Sequence, residues 1–139
     1  MDVKRVTIEF YLDSRSGVAP YLQLVQQVRQ ALRLGFLKIG DQLPTVREVV
    51  SQLTINPNTV FKAYRTLELE GLVESHPGLG TFVLHTLVDP ALESHEVLRK
   101  RLISWLQDAS VAGLQEESIE AIFTTALQEF KKKNEEEIA

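Results

Sequence analysis

The sequence predicts an α+β chain, mainly α, and three observations carry that expectation. Between Leu43 and Val83, two short helical patterns are separated by the tight turn Thr54-Ile55-Asn56. Two strand-like arms then flank Ser75-His76-Pro77-Gly78-Leu79-Gly80, a stretch rich in turn-forming residues. Further on, the pattern becomes two long amphipathic helices. Helix, turn, helix and hairpin in that order are the layout of a winged helix-turn-helix. The expected division is residues 11–86 for this module and residues 87–139 for a two-helix tail that joins two chains.

Each element has a local reason. Residues 6–12, VTIEFYL, combine β-branched and aromatic types and suit a short strand or an extended arm. Ser14 to Pro20 is a break. From Tyr21, the apolar residues Leu22, Val25, Val28, Leu32 and Leu34 recur on a helical stripe that ends at Gly35. After the connector Lys38 to Leu43, Thr45-Val46-Arg47-Glu48 forms a capping box. The Thr45 hydroxyl takes the Glu48 N–H, the Glu48 carboxylate reaches back, and a helix runs from about Val46 to Leu53. Asn56-Pro57 opens the next helix with a favoured N-cap residue and proline at N1. Its buried face is Val60, Ala63, Tyr64 and Leu67, and Gly71 ends it. Leu72-Val73-Glu74 and Thr81-Phe82-Val83-Leu84 are the hairpin arms, with Pro77-Gly78 suited to the centre of a type II turn. From Asp89-Pro90 the tail begins. Leu98, Leu102, Trp105, Leu106 and Ala109 share one helix face up to Gly113, and Ile119, Ile122, Phe123, Ala126, Leu127 and Phe130 share another. Such apolar faces need a covering surface.

Composition narrows the function classes. With 44% hydrophobic and 24% charged residues the 139-residue chain is globular rather than disordered as a whole. It has no cysteine, which excludes disulfides, Cys-ligated zinc and thiol chemistry and suits a reducing compartment. There is no apolar run of the ~20 residues that span a bilayer, and MDVKRVTIEFYLD holds no signal-peptide core. A cytoplasmic protein without a membrane role is expected. The net charge of -4 is unevenly placed: residues 1–85 carry 9 Lys+Arg against 8 Asp+Glu, and residues 86–139 carry 6 against 11. Binding a polyanion requires a basic face rather than a basic total.

Enzyme signals are poor. His76, His85 and His95 lack metal-ligand spacing, no glycine loop cradles a phosphate, and no nucleophile sits in a motif. Glu68/Glu70 and Glu116/Glu117 read as solvated helix faces. No catalytic residue, metal or cofactor is expected.

Nucleic acid is the partner that the motif residues suit. Arg47 lies in the first turn of its helix, where its guanidinium and the free backbone N–H groups can share a phosphate; taken apart from its motif it reads equally as a solvated surface arginine. Asn58, Thr59 and Lys62 lie opposite the buried face of the second helix. Asn suits adenine N6 and N7, Thr a thymine methyl or a phosphate, and Lys guanine or the backbone.

These residues carry a family resemblance. Leu43-Pro44-Thr45-x-Arg47-Glu48, Asn56-Pro57-Asn58-Thr59-Val60-x-Lys62-Ala63-Tyr64, Leu67-Glu68-x-Glu70-Gly71-Leu72-Val73 and Gly78-x-Gly80-Thr81-x-Val83 resemble the GntR family of bacterial transcription regulators, in particular its short YtrA-like branch. The resemblance covers residues 18–84. It implies a sequence-specific regulator, a repressor that binds an inverted-repeat operator in double-stranded DNA as a homodimer. Within these motifs the family's DNA contact is Arg47; residue chemistry adds Thr45, Asn58, Thr59 and Lys62, Asn56 as a contact or an N-cap, Gly78 through backbone N–H groups near phosphate, and His76 as a hydrogen bond or simply a turn residue. Dimerisation falls to Leu98, Leu102, Trp105, Leu106, Ile119, Ile122, Phe123 and Leu127. Such proteins often control their own operon, commonly one that encodes an ABC transporter, and an unidentified small-molecule effector is compatible with the pattern.

Three departures from the family pattern stand out. Thr54 occupies the turn position usually held by glycine, where a β-branched residue is poor at positive φ. Phe61 stands where relatives are small or basic, and it either packs under the wing or meets a base; packing is the expectation. The wing tip has no Lys or Arg. Two other readings remain open: a winged helix used as a protein-interaction adaptor, which Arg47, Lys62 and Arg65 argue against, and a small-ligand sensor with a pocket around Trp105.

Overall fold

The computed structural model describes residues 8–89 and 92–138. The expectations that fall on residues 1–7 and on Pro90 lie outside them. The chain forms two compact units that meet in sequence at Leu92 and Glu93.

The first unit contains α1 (Pro20–Arg33), α2 (Val46–Leu53), α3 (Pro57–Leu69), β1 (Val73–His76) and β2 (Gly80–Val83). The two strands are antiparallel, with Val73 opposite Val83 and His76 opposite Gly80. Leu24, Val25, Val28 and Leu32 of α1, Val49 of α2, and Val60, Ala63 and Leu67 of α3 form one core. Val73 and Val83 seal it from the wing, and Phe10 enters from the N-terminal side.

The apolar stripe of α1 is rotated from its expected position. Leu24 is fully buried, whereas Leu22 is exposed and Leu34 only half-buried. Beside Leu24, the polar Gln23 is also buried, because it satisfies the loop before the helix. Its Oε1 accepts from Asp13 N–H at 2.8 Å, and its Nε2 donates to the Val18 and Asp13 carbonyls at 2.9 and 3.0 Å. Residues 8–12 lie outside regular secondary structure, so the expected strand is not formed there. Gln27 substitutes for a ladder partner: its Nε2 donates to Tyr11 O at 2.7 Å and its Oε1 accepts from Tyr11 N–H at 3.1 Å. Arg29 of α1 clamps Glu70 at the end of α3 through two guanidinium donors.

Both helix starts follow the sequence. Thr45 Oγ1 accepts from Glu48 N–H and donates to Glu48 Oε1, each at 3.1 Å. Asn56 Oδ1 accepts from Asn58 N–H at 2.9 Å. The hairpin arms pair further towards the tip than expected. Ser75, His76 and Gly80 belong to the strands, and only Pro77-Gly78-Leu79 remains as the turn. Leu79 N–H donates to His76 O at 2.9 Å and Gly78 has φ +78°, the geometry a type II turn requires at its second central residue. Gly80 is likewise at positive φ, +129°, and is crowded as well. Gln42 lies against it so closely that a Cβ would stand 2.5 Å from Nε2, the atom that donates to Leu79 O and ties the wing to the connector.

Thr54, at the C-cap of α2, has φ 53° and ψ 52° and is the one non-glycine residue at positive φ among those described. A β-branched residue in this region costs about 1–3 kcal/mol, which exceeds the roughly 0.5–1 kcal/mol that glycine loses through its freer unfolded chain. Thr54→Gly should therefore stabilise the unit by about 1 kcal/mol, read in thermal unfolding as a rise in Tm of roughly 4–8 °C. An unchanged or lower Tm would show that the threonine is not strained.

The second unit is the helical pair α4 (Leu92–Val111) and α5 (Glu116–Ile138), of 20 and 23 residues. Gly113, at φ +89°, turns the chain between them. Ala109 is buried, and the rings of Trp105 and Phe123 meet at 5.3 Å. Most other apolar side chains on these helices are open to solvent, including Leu98, Leu102, Ile122, Leu127 and Phe130. The closing KKKNEEE stretch is part of α5. No helix among the described residues is long and apolar enough to cross a membrane.

Candidate nucleic-acid interface

The interface is built on α3. Its core face is held by Val60, Ala63, Tyr64 and Leu67, so helical spacing turns Asn58, Phe61, Lys62 and Arg65 outward. Tyr64 fixes the position of α3 relative to α2, since its hydroxyl donates to the Pro44 carbonyl at 2.5 Å just before the Thr45 cap. Burial, and secondarily the nearby Glu48 carboxylate, hold this hydroxyl well above the ordinary tyrosine pKa, so it remains a donor.

The outward face of α3 forms one wall of an open groove of about 520 Å³. Asn58, Phe61, Lys62 and Arg65 line that wall, Ser75 and Thr81 of the wing line the other, and Glu68 lies on the same lining. Two of the expected contacts, Asn58 and Lys62, come together here. Thr45 and Thr59 are half-buried outside the groove, the former with its hydroxyl committed to the helix cap. Arg47 is exposed in the first turn of α2. Asn56 is exposed with its side chain in the cap, so the capping role assigned to it is realised. At the wing, His76 Nε2 lies 3.4 Å from Glu74 Oε2 and its ring meets Phe82 edge-on, while Gly78 stands open at the tip.

Two details differ from the expectation. Lys62 does not simply project outward, because its Nζ lies 4.1 Å over the Tyr21 ring, a cation–π contact that draws the ammonium towards the start of α1. Phe61 does not pack under the wing. It remains 57% exposed, because Ser75 and Thr81 across the groove are small and leave the ring uncovered. Arg65, which lies outside the expected contacts, shares the groove with Asn58; their helical offset of seven residues places both on one face.

A helix presenting amide, aromatic and basic side chains beside a two-stranded wing defines a winged helix-turn-helix DNA-binding protein. Residues 20–83 match the model for bacterial regulatory proteins of the gntR family. The chain is 36% identical to the HTH-type transcriptional repressor YtrA of Bacillus subtilis (strain 168), over 78% of this chain and 84% of that protein. It therefore belongs to the gntR family, is similar to its YtrA-type members, and is a DNA-binding transcriptional regulator rather than an enzyme. Among solved structures, a transcriptional antiterminator from Listeria monocytogenes EGD-e is 28% identical with a TM-score of 0.55, covering 88% of this chain and 92% of that one. YtrA from Sulfolobus acidocaldarius is 27% identical with a TM-score of 0.50, covering 76% and 99%.

Proposed function

We propose that the chain is a homodimeric repressor that binds an inverted-repeat operator, with α3 of each subunit in the major groove and the tails joined, and that it acts in the bacterial cytoplasm. The observation that carries this reading is the tail. Its helices keep Leu98, Leu102, Ile122, Leu127 and Phe130 open to solvent, and a symmetric pairing of two chains covers such faces on both subunits at once. The repressor assignment is supported by the YtrA relative, which is a repressor and aligns over most of its length. Arg47 positions the head on phosphate, Asn58 reads a base, and Thr45, Asn56, Thr59, Lys62, His76 and Gly78 fill out the contact surface.

Two recognition helices related by a two-fold axis require a target with the same symmetry. Footprinting on a selected operator should show an inverted repeat whose half-sites lie about 10 bp, or a multiple of that, apart. Sedimentation should give a dimer at micromolar concentration. Tight binding of a monomer to one isolated half-site would overturn the reading.

A further inference from the structure

We propose that Phe61 is a specificity-determining residue that reads thymine through its C5-methyl group in the major groove. The inference rests on the DNA-reading role of α3 proposed above and names one chemical feature of the target. Phe61 is 57% exposed on a helix whose core face is already filled by Val60, Ala63, Tyr64 and Leu67. It follows Asn58 by three residues and precedes Arg65 by four, so it sits on the same stripe between an amide and a guanidinium suited to base edges. All three line the groove between α3 and the wing. Lys62, the other side chain at this level, is drawn towards Tyr21, which leaves Phe61 at the centre of the stripe.

The chemistry of the ring then selects the base feature. A phenyl group neither donates nor accepts a conventional hydrogen bond, so the donor and acceptor pattern of the base edges is closed to it. The major-groove edge offers one apolar group, the thymine methyl. Removing that methyl and the exposed ring from water together is favourable, whereas cytosine carries only a hydrogen at C5 and offers the ring no such contact.

The test is a double-mutant cycle between side chain and methyl. An operator is selected from random duplexes with the intact chain, and each thymine of the half-site is replaced in turn by uracil, which deletes only the methyl. At one thymine, symmetrically placed in both half-sites, the replacement should weaken binding about 4-fold per half-site, or about 16-fold when both are changed. For Phe61→Ala the same replacement should cost nothing, and Phe61→Leu should recover part of the wild-type sensitivity. Because the ring is exposed, Phe61→Ala should unfold at the wild-type temperature. A uracil scan whose effects are the same in wild type and Phe61→Ala would overturn the assignment while leaving DNA binding intact. So would a loss of affinity in Phe61→Ala that is uniform over operator and random DNA. Failure of the intact chain to select any duplex would overturn this assignment together with the operator-binding reading.

Discussion

A chain shortened to end after Val88 should bind the full operator roughly 10²- to 10⁴-fold more weakly than the intact chain, because the second head no longer binds at the effective concentration set by its link to the first. The shortened chain should still fold. Its core, from Phe10 to Val83, is closed by residues of the head alone, and Leu87, which packs against that core, is kept. On the proposed reading the driving force for pairing lies in the tail. Five side chains, Leu98, Leu102, Ile122, Leu127 and Phe130, remain between 40% and 61% exposed. Covering the exposed half of one such side chain contributes about 0.7–1.5 kcal/mol, so a symmetric interface that covers both sets offsets an association cost of roughly 4–15 kcal/mol. In the intact chain, the pair of changes Leu102→Glu and Leu127→Glu should reproduce the defect without removing residues, since the inserted charges would face each other or apolar surface. Sedimentation and operator titration decide the matter. An intact chain that is monomeric at micromolar concentration, or a shortened one that binds as tightly as the parent, would leave the tail with some other role.

What was legible in the sequence was legible through local chemistry. Thr45 and Glu48 cap α2, Asn56 caps α3, and Pro77-Gly78 turns the wing, all by contacts within three residues. The features that were not legible depend on neighbours distant in sequence. Leu22 and Leu24 are both apolar and two positions apart, and only the packing of α1 on α3 decides that Leu24 turns inward. Gln23 is buried because it binds the loop 13–18, and apolar periodicity cannot register a polar residue used in this way. The last residues of the wing strands, Ser75, His76 and Gly80, have loop-like composition and are held in the ladder by cross-strand pairing. The exposure of Asn58 and Arg47 follows from motif and helix position. The diversion of Lys62 requires Tyr21, 41 residues earlier, and the exposure of Phe61 requires knowing that small residues line the wing across from it.

The sharpest separation of base reading from phosphate positioning comes from replacing Asn58 and Arg47 in turn. Asn58→Ala removes an exposed side chain but leaves the backbone N–H that donates to Asn56 Oδ1, so the cap of α3 and the fold should be unaffected. A lost bidentate contact costs about 1–3 kcal/mol. Two heads make that roughly 2–6 kcal/mol, or about 30- to 2 × 10⁴-fold in operator affinity, with little change on random DNA. Arg47→Ala acts on the other component. On the proposed reading its guanidinium, exposed in the first turn of α2, meets phosphate, so its loss should weaken operator and random duplex alike and reduce the slope of log K against log salt by about one unit per head. Titrating both variants against operator and random DNA at several salt concentrations therefore yields opposite signatures. If both lose affinity equally on every sequence, Asn58 is a phosphate contact, and base reading must then rest on Phe61, Arg65 or the wing. If Arg47→Ala keeps the wild-type salt slope, the guanidinium does not touch DNA, and the helix N-terminus beside it must hold the phosphate alone.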